Sequence, residues 1–121
     1  MNKRHQRRFE LVMTKLNTDN LPLLSAVYLL TADRKLWIQA QRHIGKNRIN
    51  FDQIKPFDCS EYGYPLYCAA KDVYLNTKHF TLHDLADHRL IPNDLFELLY
   101  TALIIKRKGI NALAKSNMGE E

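Results

Sequence analysis

The ten residues Leu21-Pro22-Leu23-Leu24-Ser25-Ala26-Val27-Tyr28-Leu29-Leu30 constrain this chain more than any other stretch. A helix built from them is apolar almost all round, and such a helix is stable in water only when other elements cover it on every side. Asp19 or Asn20 can supply its N-cap, and Pro22 suits its first turn. The rest of the sequence must therefore provide covering helices, and its hydrophobic spacing is that of a helical protein.

Phe9, Val12, Met13 and Leu16 fall at i, i+3, i+4 and i+7 of a first helix over about residues 2–17, whose polar face is basic. Asp33 reads as a new cap or a break, followed by a third helix with Leu36, Trp37, Ala40 and Ile44 inward, stopped by Gly45. Ile49, Phe51, Ile54 and Phe57 alternate with polar residues, so residues 47–57 read as irregular or strand-like. Asn50 followed by Gln53 favours a single helical turn there. Pro65 opens a fourth helix to about Asn76, with Leu66, Ala69, Ala70 and Val73 inward and Tyr67 and Tyr74 at the core edge. Thr81-x-x-Asp84 has the form of a capping box before a short fifth helix with Leu82, Leu85 and Ala86. Pro92 starts a sixth, with Leu95, Leu98, Leu99, Ala102 and Ile105 on one face and Gly109 at its end. The expected fold is all-α, a compact bundle of five or six helices. It forms one domain over residues 1–109, followed by a frayed tail at 110–121. A chain of 121 residues can bury such a core without disulfide or metal.

Leu24-Ser25-Ala26-Val27-Tyr28-Leu29-Leu30-Thr31-Ala32-Asp33 leads into Leu36-Trp37, and Ala69-Ala70-Lys71-Asp72-Val73-Tyr74 is followed by Leu82-x-x-Leu85. Together these runs resemble a family of small uncharacterised proteins carried by phages and mobile elements of Gram-positive bacteria, over roughly residues 5–108. The shared motifs are core-packing patterns and carry no catalytic residues across. The resemblance implies a small cytoplasmic accessory protein, made by an element that must cope with its host.

The residues themselves agree on compartment. Lys3, Arg4, Arg7 and Arg8 precede Phe9–Leu16, which contains Glu10 and Lys15, so the apolar segment of a signal peptide does not follow them. Leu95–Ile105 contains Glu97 and as a helix spans roughly 16 Å, about half a bilayer core. Cys59 and Cys68 lie outside any C-x-x-C pair and read as two unbridged thiols in a reducing compartment. The chain is expected in the cytoplasm, off the membrane.

Several chemistries find no support. His79 and His83 are four apart, but the Thr81 cap places His79 outside the helix, and no Cys lies near to complete a zinc site. Residues 81–100 can be tested as a helix-turn-helix. Ala86, Ile91, Phe96 and Leu99 fit its apolar positions, yet Leu90 stands where Gly is usual. The would-be recognition helix carries Asp94 and Glu97 with no base until Lys106, so core packing is the preferred reading. Ser25 is expected to turn its hydroxyl to a carbonyl, and Ser60 to cap or turn. Gly45 and Gly63 are isolated and form no phosphate loop, and Asp58 and Glu61 read as solvated. No enzyme activity, cofactor or metal is expected.

Charge is uneven. Residues 1–49 carry a net +7, residues 50–105 a net −4 and residues 106–121 a net +2. Lys3, Arg4, Arg7, Arg8 and Lys15 sit on helix one, and Arg34, Lys35, Arg42, Lys46 and Arg48 around helix three. Placed side by side, the two helices form a positive face for phosphate backbone or an acidic partner. Tyr62 and Tyr64 flank Gly63 and are candidates for an exposed protein contact. The expected function is that of an accessory or regulatory protein that binds a host protein, with counter-defence by inhibiting a nucleic-acid-targeting effector as one such role. The alternative is sequence-independent nucleic-acid binding by the basic faces of helices one and three. A homodimer through helix six is compatible with either.

Overall fold

The computed structural model describes residues 2–56 and 59–111. Among them the chain forms six α-helices and no strand, the expected all-α bundle. They are α1 (Lys3–Met13), α2 (Leu21–Leu30), α3 (Arg34–Ala40), α4 (Gly63–Leu75), α5 (Leu82–Ala86) and α6 (Asn93–Lys108). Single 3-10 turns occupy Gln41–His43 and Phe51–Gln53. None of the described helices is long and apolar enough to cross a membrane.

α2 is the hub. Every residue from Leu23 to Leu30 is buried, and the helix packs against α4 and α6, the two most extensive contacts in the fold. Small buried residues let the backbones approach: Ser25 and Ala26 on α2, Ala69 and Ala70 on α4, Ala102 on α6. Ser25 does donate to a carbonyl, but across the bundle to Ala102 at 2.6 Å rather than within its own helix.

Local signals place most of the ends. Asn20, Asp33 and Thr81 accept from Leu23, Leu36 and Asp84 backbone N–H groups. Thr81 and Asp84 complete the capping box. Gly109 ends α6 with φ 83, the left-handed region that Gly enters without steric cost.

Four boundaries or placements depart from the sequence reading. α1 stops at Met13, where Thr14 turns its hydroxyl back to Leu11 and the chain swings out so that Leu16 reaches the core. α3 ends at Ala40, because Ile44 leaves the helix to pair with Ile49 in an antiparallel bridge around a tight turn. α4 begins at Gly63 rather than Pro65, since Pro is tolerated anywhere in a first turn, where N–H groups lack helical acceptors. Finally, α5 buries none of its residues, and Leu82 and Ala86 are exposed. Of the expected tail, Ile110 packs against the core and Asn111 is exposed, while residues 112–121 lie outside the described residues.

Candidate functional site

α1 docks across the C-terminal end of α2 through two polar contacts and one aromatic cluster. His5 Nε2 lies 2.8 Å from the Tyr28 carbonyl, and Arg8 Nε donates to the Thr31 carbonyl at 2.8 Å. Tyr28 lies in the last turn of α2 and Thr31 is its C-cap, where carbonyls lack helical N–H partners and donors are favoured. Phe9 meets the Tyr28 ring edge-on at 5.3 Å. This docking leaves the far side of α1, with Lys3, Arg4 and Arg7, in solvent.

Residues 44–49 are held against the same end of the molecule. Gly45 N–H donates to the Arg48 carbonyl and Asn50 N–H to that of His43, which closes the turn. Asn17 N–H then donates to the Lys46 carbonyl at 2.9 Å, and the Asn20 side chain to that of Asn47 at 3.1 Å. From the other side, Ile49 N–H donates to the Tyr74 hydroxyl at 3.2 Å. Lys46 is thus carried to the rim of the space between α1 and α3.

That space is a groove of about 680 Å³. Leu11, Val12, Leu16, Trp37 and Ile44 give it an apolar floor, and Arg8, Lys15, Arg42 and Lys46 stand around it, with no carboxylate in its lining. α1 faces Trp37 of α3 and residues 41–46 across this groove without packing closely on α3, and four of the ten basic candidates, Arg8, Lys15, Arg42 and Lys46, stand around it. Arg34 and Arg4 are close enough to Arg8 to act on its charge. Burial, with these two cations, holds the Arg8 guanidinium below its ordinary value, against the pull of Asp33. Arg8 is nonetheless part of the scaffold, because its Nε is committed to Thr31. Lys3, Arg7, Lys35 and Arg48 are exposed and outside the groove. Among the described residues the salt bridges are His79 with Asp72 and Arg89 with Asp87, and none of the ten basic candidates forms one there.

The two tyrosine candidates separate. Tyr64 is exposed, with its ring 6.2 Å from that of Tyr67. Tyr62 is half-buried against the core, and its hydroxyl donates to Asp94 at 2.9 Å, so it ties the start of α4 to α6. Gly63 between them is the first residue of α4 rather than a flexible joint, and its surroundings leave no room for a Cβ. A Cβ placed on it would fall 2.1 Å from that of Cys59.

His79 lies before α5, as the Thr81 cap predicts. Its ring, its N–H, the Thr77 hydroxyl and the Phe80 N–H all bond the Asp72 carboxylate. Burial works against that charge, but these donors prevail and hold Asp72 below its ordinary value. Among the described residues no three His, Cys, Asp or Glu side chains converge as metal ligands.

A second surface lies on helix six, which the sequence offered for a homodimer without naming the residues or the part that α5 plays. Leu82, Leu85 and Ala86 of α5 and Phe96, Tyr100 and Leu103 of α6 line an open groove of about 510 Å³. Core packing accounts for Ile91 and Leu99, which are buried, but not for Ala86 and Phe96, which face solvent. The available signal was the second stripe on α6, Phe96-x-x-x-Tyr100-x-x-Leu103, beside the stripe used by the core. No protein-family model, curated protein or solved structure matches the chain.

Proposed function

We propose that this is a non-enzymatic accessory module that acts by binding another protein, which lays an acidic amphipathic segment into the groove between α1 and α3. The observation that carries the reading is the pairing of an apolar floor with a cationic rim in one concave site free of carboxylates. Apolar anchors supply most binding energy in such a groove, while rim charges select and steer the partner. The partner we propose is a host protein, in line with the mobile-element origin expected from the runs Leu24–Asp33 and Ala69–Tyr74, with inhibition of a nucleic-acid-targeting effector as one outcome of occupying it.

A second reading is sequence-independent nucleic-acid binding. It is favoured by exposed Lys3, Arg4, Arg7, Arg34 and Lys35, which extend the positive surface past the groove. Against it, Trp37, the aromatic residue of the groove, is buried and offers no stacking platform.

Fluorescence anisotropy separates the two. The probes are a helical peptide with Glu on one face and Leu on the other, a scrambled peptide of equal charge, duplex and single-stranded DNA, and structured RNA, each at about 50 and 200 mM salt. The amphipathic peptide should bind and its scrambled form should not. Lys15→Glu, Arg42→Glu or Leu11→Asp should each weaken binding by about tenfold, or about 1.4 kcal/mol. Equal binding of both peptides, or nucleic-acid binding with a steep salt slope that Arg4→Ala and Arg7→Ala abolish, would overturn the protein-binding reading.

A further inference from the structure

We infer that the outer face of α6 is a two-fold homodimer interface in which the α6 helices of two copies pack antiparallel, centred on Tyr100. This rests on a different face from the cationic groove and does not depend on that reading.

α6 is apolar on two sides. One stripe, Leu95, Leu99, Ala102 and Ile105, is buried in the core. The other, Phe96, Tyr100 and Leu103, remains 39%, 56% and 45% exposed, and Leu82 of α5 stands beside it at 85%. A surface helix that covers only its own core has one such stripe. The Phe96 and Tyr100 rings are stacked, 6.2 Å apart with planes 14° from parallel, so the face is preformed. A five-residue helix that touches the core only through half-buried Leu85 has a small role there. As the wall of this groove, with its capping box fixing Leu82 in place, it has a larger one.

Charge identifies the occupant. The outer stripe continues at the same spacing to Asn93 at one end and Arg107 at the other. Asp94 and Glu97 lie near the first end, and Lys106, Arg107 and Lys108 at the second. Antiparallel pairing about Tyr100 brings Arg107 of a second copy level with Asn93 and Asp94, one turn from Glu97, and the symmetry repeats the match at the other end. Parallel pairing sets acid against acid and base against base. Within one chain Glu97 and Arg107 form no ion pair. The exposed parts of Leu82, Phe96, Tyr100 and Leu103, with the helix rim, give roughly 600 Å² per copy, close to the roughly 800 Å² per partner of a standard interface.

Sedimentation velocity over about a hundredfold range of concentration tests this by mass action. The wild-type chain should pass from monomer to dimer. Tyr100→Glu should abolish the dimer, with circular dichroism confirming a retained helical fold. Arg107→Glu and Glu97→Lys should each weaken association by about tenfold, and the double variant should restore it. A chain monomeric throughout the range overturns the inference. So does a dimer indifferent to both charge reversals, or one whose weakening the double variant fails to reverse.

Discussion

Protonating His5 works against the fold. The ring is buried beside Tyr28, with centroids 4.6 Å apart, and desolvation lowers its pKa from 6.5 to about 4 despite the Tyr28 carbonyl. The unfolded chain takes up a proton below pH 6.5 that the folded chain refuses, so stability is present above that value and falls as pH drops toward 4. The loss is about 3 kcal/mol, a large share of a typical domain's stability. Asp72, whose carboxylate is held below 3.8, contributes an acid-labile increment only at lower pH still. Urea midpoints should therefore fall between pH 7 and 4.5 in the wild-type chain and stay nearly level in His5→Gln, whose side-chain amide can still donate to Tyr28. A parallel decline in both would remove His5 as the cause. At this scale, what the sequence disclosed was local. Asn20, Asp33, Thr81 and Gly109 act on backbone within a few residues. His5, Arg8 and Ser25 find their acceptors 23, 23 and 77 residues away, beyond any short-range pattern.

Glycines show how differently the same residue type serves two elements. Gly63 opens α4 with Cys59 pressed against the site of its missing Cβ, whereas the nearest atom to that of Gly45 is the Arg48 carbonyl oxygen at 3.8 Å. Gly63→Ala should therefore destabilise by about 2 kcal/mol through overpacking. Gly45→Ala should change stability by less than about 0.5 kcal/mol. Thermal unfolding of the pair measures the contrast, and equal shifts would contradict it. Element starts were legible where an apolar run met a capping side chain, as at Asn20 before α2 and Asp33 before α3. The described parts of the segment from Gly45 to Ser60, residues 45–56 and 59–60, were legible only in outline, because their form depends on partners elsewhere. Tyr74 and Asn17 bond its first part, and Ser60 donates to Asp33, the cap of α3.

Across the whole molecule, stability is graded outward from α2. Its amides lie beneath α4 and α6, while α5 has no buried residue. Hydrogen exchange should find α2 protected up to global unfolding and α5 exchanging first among the helices; similar rates in both would refute the gradient. The neighbourhood of α1 and α3, on which the cationic groove depends, was conditional in the sequence, because charge runs do not state which helices adjoin. The order of elements along the chain carries one more consequence, for synthesis. Leu21–Leu30 leaves the ribosome well before Gly63–Leu75, and Asn93–Lys108 follows later still. The most apolar of the described helices thus emerges before either of the two helices that cover it, and it is the segment a chaperone would hold or an aggregate would recruit.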